Sequence, residues 1–340
     1  MGVIVFRADA SRLIGSGHVM RCLTLAQRLR KEQNAKVIFI MRKLSGNLID
    51  VVRKQRFAVL VLPSADEDYK LDGYGLWLTV SMEVDAQQTI EVLQHYLQEH
   101  YCDVADRLIV DSYALDEQWE RMLRPYCKEI MVIDDLANRR HECDILLDQN
   151  FYLNKDVRYV GLVPEHCKML LGPEHALLRE EFYEAKKHLR KRDGNIKNIL
   201  VFYGGSDLTN ETEKAIKALV QLHDEGYNFT ADIITGLSNS RREKIEKICS
   251  KYHFFHYYCQ VSNMAEFMNM ADLMLGAGGS TTWERLYMEL PALVTAVAEN
   301  QIQGCEDCSQ AGIIEYLGIN EDVRVDTILE ALHKKLDKHN

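Results

Sequence analysis

Hydrophobic and polar positions alternate along the chain in two long series. In the first, short apolar runs at residues 3–6, 36–41, 57–62, 107–111, 129–133 and 144–147 read as strands. Helical spacing fills the intervals. Over 19–31, Met20, Leu23, Leu25, Ala26 and Leu29 form a broad apolar face, and helices also read at 47–54, 85–98 and 117–123. Residues 64–82 carry Asp, Gly, Tyr and Leu without a clear period and read as an irregular loop. The series pauses over 151–195, where only a short helix near 179–188 is evident, and then begins again. Strands read at 199–203, 231–235, 254–258 and 293–297, and a buried strand ends at Met274 and Leu275. Helices read at 211–223, 240–251, 264–269, 303–310 and 325–339. Strands alternating with helices at this spacing predict parallel sheets covered by helices on both faces. The expectation is an α/β chain of two Rossmann-like, doubly wound lobes, residues 1–185 and 186–340, with an interdomain cleft.

The second series contains the most distinctive stretch, Leu275-Gly-Ala-Gly-Gly-Ser-Thr-Thr-Trp-Glu284, which continues to Pro291 and Ala298-Glu-Asn-Gln301. Gly276, Gly278 and Gly279 allow a tight turn that bares backbone N–H groups, and Ser280, Thr281 or Thr282 is placed to cap the helix that follows. A strand, a glycine turn and an open helix N-terminus together offer a seat for phosphate. Neither Gly-x-Gly-x-x-Gly nor the P-loop pattern fits, since Thr281 falls where the third glycine would stand. The competing reading is an ordinary strand-to-helix turn that merely needs small residues. Glu284 favours the functional one, because a carboxylate there cannot help phosphate but can accept from a ribose diol beyond it.

A second constellation is Gly15-Ser-Gly17-His18. His18 stands on a glycine turn at the start of a helix, where the positive dipole end favours neutral imidazole, a form able to take a proton from water. The two glycines leave room beside it, and Arg21, one turn on, is placed to meet phosphate or sugar oxygens. The bland alternative is a histidine that only caps the helix. Polar residues also gather where strands end, at Asp9, Asp111, Asp134, Asp135 and Asp148. In parallel sheets the ligand crevice lies beyond those ends, although some of these Asp will only cap loops.

Composition narrows the picture. The 340 residues carry a formal net charge of −10, which argues against nucleic acid as a partner. The basic run 186–192 lacks interleaved aromatics and reads as a solvated helix end and linker. No apolar run reaches membrane-spanning length, and the first residues go straight into a strand, so neither membrane insertion nor a signal peptide is expected and the cytoplasm is the expected location. Nine dispersed cysteines read as reduced thiols. Only Cys305-Glu-Asp-Cys308 has metal or redox spacing, and no second pair completes a zinc site. Neither a metal nor a cofactor is expected.

With these motifs in view, the chain resembles a known family. Arg7-Ala-Asp-Ala-Ser with Gly15-Ser-Gly-His-Val-Met-Arg21, Leu171-Gly-Pro173, Tyr203-Gly-Gly-Ser-Asp207, Ala277-Gly-Gly-Ser-Thr-Thr-Trp-Glu284 and Ala298-Glu-Asn-Gln301 are similar to the UDP-sugar hydrolases of pseudaminic acid synthesis and to spore-coat polysaccharide proteins. That family converts UDP-2,4-diacetamido-2,4,6-trideoxy-β-L-altropyranose to the free sugar and UDP. The resemblance implies a glycosyltransferase-B-like architecture, with UDP on the C-terminal lobe and the sugar facing the N-terminal lobe. It implies that His18 is the catalytic histidine, that Glu284 lies at the ribose, and that Asn300 and Gln301 lie near sugar and phosphates. Gly15, Gly17, Arg21, Gly278, Gly279, Ser280 and Thr281 complete the expected substrate-binding set. Trp283 stands where some members carry Asn, and His175 where a Tyr is expected.

The expected chemistry is metal-independent hydrolysis at C1 with inversion. His18 would deprotonate water while the helix end stabilises the departing UDP. UDP is already a good leaving group, so no carboxylic acid need protonate it. A glycosyltransferase using a UDP-sugar donor, a non-catalytic nucleotide-sugar-binding protein and an epimerase that releases UDP are the alternatives. The expected assembly is a monomer or weak oligomer.

Overall fold

The structure, a computed structural model, describes residues 2–33, 35–64 and 72–337. It divides into two compact units, one of residues 1–150 and 154–177, the other of residues 151–153 and 178–340.

Unit 1 alternates strands and helices: β1 (Val3–Ala8), α1 (Gly17–Gln33), β2 (Lys36–Arg42), α2 (Ile49–Lys54), β3 (Ala58–Leu62), α3 (Met82–Glu99), β4 (Ala105–Asp111), α4 (Glu117–Leu123), β5 (Cys127–Ile133), β6 (Ile145–Asp148), α5 (Lys155–Arg158) and β7 (Lys168–Leu171). All seven strands are parallel, in the order β3-β2-β1-β4-β5-β6-β7. The buried face pattern explains why the strands read so clearly: every residue of β1 is buried, as a strand covered on both faces must be. Two apolar clusters cover the sheet, one built around Trp119, Leu93 and Val110, the other around Phe6, Phe39 and the α1 face. Part of the expected loop 64–82 is a short 3₁₀ turn, Gly73–Trp77, while residues 65–71 lie outside the described residues. β7 escaped the sequence pattern because it is an edge strand whose Lys168 and Met169 are exposed.

Unit 2 begins with α6 (Glu180–Lys186) and continues as β8 (Asn198–Phe202), α7 (Glu211–Asp224), β9 (Thr230–Thr235), α8 (Arg242–Cys249), β10 (Phe255–Cys259), α9 (Met264–Met270), β11 (Leu273–Ala277), α10 (Thr281–Tyr287), β12 (Ala292–Ala296), α11 (Ile302–Gln310), β13 (Glu315–Ile319) and α12 (Val325–Leu336). Its six strands are again parallel, in the order β10-β9-β8-β11-β12-β13. β13 was missed because it lies at an edge, is only half-buried and carries Gly318 at φ +125°. The last residues of the expected final helix, 338 and 339, fall outside the described residues.

The basic run is not the solvated linker expected. Arg190 donates to the carbonyls of Asn269, Met270 and Ala271, and Arg192 to those of Met268, Ala271, Met288 and Glu289. These guanidinium groups satisfy carbonyls left open where α9 and α10 end, stitching the segment onto unit 2. Among the described residues no helix is long and apolar enough to cross a membrane.

Candidate functional site

In both units the strand order reverses at the centre of the sheet, between β1 and β4 in unit 1 and between β8 and β11 in unit 2. At such a switch point the loops leaving the two central strands diverge and open a crevice. The sequence-selected residues collect beside these two points.

In unit 1, β1 leads through Gly15, at φ +81°, into α1, whose second residue is His18. The α1 face packs Val19, Cys22, Leu23 and Ala26 into the core, and this turns His18 toward the end of β4, where it is 7% exposed. There His18 Nδ1 lies 2.6 Å from Asp111 Oδ1, a carboxylate that is wholly buried. Donation from Nδ1–H fixes the tautomer and leaves Nε2 as the free base. Arg21 holds the other side of the same carboxylate, Nε donating to Oδ2 at 2.6 Å and Nη2 to Oδ1 at 2.7 Å, while its Nη1 donates to Asp135 at 2.9 Å. Burial by itself would raise the Asp111 pKa, but Arg21 and then His18 outweigh it and hold the carboxyl well below the usual carboxylate range. Asp111 therefore stays ionised beside the imidazole.

Two expectations change here. Arg21 is not an open fork awaiting substrate oxygens, because both of its edges are bound to Asp111 and Asp135. Asp111, which the sequence offered only as one of several strand-end carboxylates, is the partner of His18. Of the others, Asp9 accepts from Arg7 and from the Arg42 amide, Asp134 from Arg139 and the Ala137 amide, and Asp148 from the Asn150 amide and the Tyr159 hydroxyl. These three serve the fold.

The imidazole is walled by aromatic rings that sequence reasoning missed. Tyr113 meets it edge-on at 4.7 Å and Trp77 at 5.4 Å, and Trp77 stacks on Tyr113 at 5.2 Å. Tyr113 also donates to Asp135. Trp77 belongs to the 3₁₀ turn read as shapeless loop. Its one available signal was the Tyr-x-x-Trp pair inside a glycine-bearing segment. Among the described residues nothing beyond its chain neighbours lies within 4 Å of where a Cβ on Gly17 would stand, so the space beside His18 is open.

In unit 2 the two loops at the switch point differ. After β8, Gly204 turns at φ +92° and Asp207 closes the start of α7 by accepting from the amides of Glu211 and Thr212 at 2.9 and 3.0 Å. After β11, the α10 start is left open. The capping expected of Ser280, Thr281 or Thr282 is not found: Ser280 has helical dihedrals and its side chain makes no cap bond, and Thr282 Oγ1 accepts from Arg285 instead. Among the described residues the amides of Gly279, Ser280 and Thr281 have no backbone acceptor, which leaves the donors a phosphate needs.

Gly278 is required for a reason other than the one expected. None of Gly276, Gly278 and Gly279 has positive φ. A Cβ on Gly278 would stand 2.2 Å from Cys305 Sγ, so α11 packs against the turn too closely for any side chain. Gln301 also lines the turn. Its Oε1 accepts from the Val297 amide at 3.0 Å, and its Nε2 lies 3.5 Å from where a Cβ on Gly279 would be. Asn300 is exposed beside it, in the 3₁₀ turn Glu299–Gln301. Glu284 accepts from Arg179 Nε at 3.1 Å, and burial raises its pKa although Arg179 opposes the shift. Trp283 is buried. No group of three or more His, Cys, Asp and Glu converges on a metal site among the described residues.

No family model matches the chain. Among curated proteins it is similar to the uncharacterized protein MJ1062 of Methanocaldococcus jannaschii, 26% identical over 308 residues, 88% of this chain and 56% of that protein. It is also similar to the UDP-2,4-diacetamido-2,4,6-trideoxy-beta-L-altropyranose hydrolase of Campylobacter jejuni, 25% identical over 298 residues, 88% of this chain and 93% of the hydrolase. The spore coat polysaccharide biosynthesis protein SpsG of Bacillus subtilis is 25% identical over 54% of each chain. The chain thus spans little more than half of the archaeal relative and nearly all of the Campylobacter one. Among solved structures, MurG of Acinetobacter baumannii shares the fold at a TM-score of 0.63 and 12% identity, covering 99% of this chain and 91% of that one. The resemblance read from the motifs is therefore matched by the relatives, and the fold is the expected glycosyltransferase-B-like one, built of two doubly wound units.

Proposed function

We propose that this chain is a UDP-sugar hydrolase that cleaves a UDP-linked 2,4-diacetamido-2,4,6-trideoxyhexose at C1, giving free sugar and UDP. The observation that carries the reading is the His18–Asp111 pair: a nearly buried imidazole, tautomer fixed by an ionised carboxylate, with Nε2 free and open space at Gly17. A general base of this kind suits the activation of water. The similarity to the Campylobacter hydrolase over 88% of the chain supplies the substrate class.

In this reading Nε2 of His18 takes a proton from water as the water oxygen bonds to C1 on the face opposite UDP. The C1–O bond to the β-phosphate breaks, its electron pair leaves with UDP, and the configuration at C1 inverts. Asp111 stabilises the imidazolium that forms, and Arg21 acts through Asp111 and holds it in place. The open amides of residues 279–281 donate to the diphosphate, where charge grows as the bond breaks. Glu284 receives the ribose diol once Arg179 yields it, and Asn300 and Gln301 complete the sugar and phosphate contacts. The route needs no metal.

The fold shared with solved glycosyltransferases favours, as a second reading, a transferase in which His18 deprotonates an acceptor hydroxyl. Incubation with a panel of UDP-sugars, following UDP release and the product by NMR, tests both. UDP release in buffer alone, with a product epimeric at C1 only, supports the hydrolase. Release that depends on an added acceptor supports the transferase, a change at C2 an epimerase, and tight UDP binding with no turnover a binding protein.

A further inference from the structure

Arg285 is wholly buried on α10, the helix that opens at the 276–280 turn. Long helical side chains run back toward the helix N-terminus, and this one does so. Its Nη2 donates to Thr282 Oγ1 at 3.2 Å, one turn earlier, and its Nη1 lies 3.6 Å from where a Cβ on Gly276 would stand. Nε and Nη1 have no hydrogen-bond partner among the described residues. The ionisable groups around it are two thiols, Cys305 and Cys308, which burial pushes up to about 11 and about 12, so at neutral pH neither supplies a counter-charge. Burial lowers Arg285 itself only to about 10, and it remains a cation.

A sealed cation without a counter-ion is costly unless a charge nearby answers it. The other buried arginines show the usual remedy: Arg7 and Arg42 both donate to Asp85. Arg285 instead lies in a layer with Gly276 and Cys305, and the Cys305 sulfur is pressed against Gly278. That layer is the underside of the turn whose outer amides are open.

We propose that Arg285 is a positioning residue for the diphosphate of a UDP-sugar, a buried positive charge beneath the 276–280 turn that attracts the anion through the turn without touching it. The inference rests on the reading of that turn as the UDP seat. A unit charge acting over about two residue lengths, roughly 7 Å, at an effective dielectric of about 20 is worth on the order of tenfold or more in affinity.

The test compares the dissociation constants of UDP and uridine, the second by competition, for the full-length protein and two variants. The wild-type protein is expected to prefer UDP strongly. Arg285→Met should weaken UDP on the order of tenfold while leaving uridine unchanged, and Arg285→Lys should restore most of the preference. A merely structural role would weaken both ligands together. An unchanged UDP-to-uridine ratio in folded Arg285→Met overturns the proposal, as does an Arg285→Lys protein no better than Arg285→Met. Should Arg285→Met not fold, the wild-type Arg285 Nε–H signal, assigned by its loss in Arg285→Lys, must shift on adding UDP and not uridine; no UDP-specific shift overturns the proposal. A wild-type protein with no preference for UDP removes the UDP seat as well, and that failure is distinguished by the wild-type ratio alone.

Discussion

Replacing Asp111 by Asn separates an orienting carboxylate from a structural one. Asp111 receives three nitrogen donors: Oδ1 takes His18 Nδ1 at 2.6 Å and Arg21 Nη2 at 2.7 Å, and Oδ2 takes Arg21 Nε at 2.6 Å. An amide keeps one acceptor. If its oxygen stays with His18, its NH₂ opposes the Arg21 Nε–H; if it turns to Arg21, His18 loses the acceptor that fixes its tautomer. A hydrogen bond to a charged group contributes about 1.5–3 kcal/mol, which at about 1.4 kcal/mol per tenfold is roughly 10- to 100-fold. Loss of charge stabilisation for the imidazolium adds to this, so Asp111→Asn should lower kcat on the order of 10²-fold. Arg21 keeps Asp135, so the fold should survive. The assay is steady-state UDP release, with UDP affinity measured separately and expected to stay near wild type. A folded Asp111→Asn protein with kcat within about threefold of wild type would refute the dyad.

Other outcomes follow from the same geometry. His18→Ala should reduce turnover on the order of 10²–10⁴-fold, and Asp111→Asn added to it should cost little more, since the two act as a unit. Gly278→Ala places a Cβ 2.2 Å from Cys305 Sγ, so UDP affinity and melting temperature should both fall, and Cys305→Ala in the same chain should recover part of each. Glu284→Ala should weaken UDP roughly tenfold but leave 2′,3′-dideoxy-UDP unchanged; an equal loss for both would remove Glu284 from the ribose. Asp148, raised to about 7 by burial and then by Asp135, tests stability against pH. The folded state holds its proton more tightly than the unfolded chain, whose Asp titrates near about 3.9. This contribution is complete below about pH 4 and is lost as pH rises toward 7. The melting temperature of Asp148→Asn relative to wild type should therefore climb between pH 5 and 8, and a flat difference would contradict the shift.

The sequence made the strands buried on both faces easy to read, because such strands are continuously apolar, as residues 3–6 of β1 are. The edge strands β7 and β13 were hidden by the exposure of their own residues. His18 was legible from its glycine turn, and so was the glycine turn after β11. Asp111 was visible only as one of five similar carboxylates, because its pairing with His18 joins residues 93 positions apart and depends on β1 lying beside β4. The cap assigned to Ser280 to Thr282 failed for a related reason. Local pattern suggests a cap, but the buried Arg285 claims the Thr282 hydroxyl. Likewise Gly278 is explained by the approach of α11, which no local rule reveals.

In the proposed mechanism an imidazole oriented by Asp111 readies water for attack on the anomeric carbon of a UDP-sugar. Turnover of UDP-2,4-diacetamido-2,4,6-trideoxy-β-L-altropyranose in H₂¹⁸O tests it directly. ¹⁸O is expected on the C1 hydroxyl of the released sugar and none on UDP. Label on the β-phosphate of UDP would mean that the P–O bond breaks, and would contradict it.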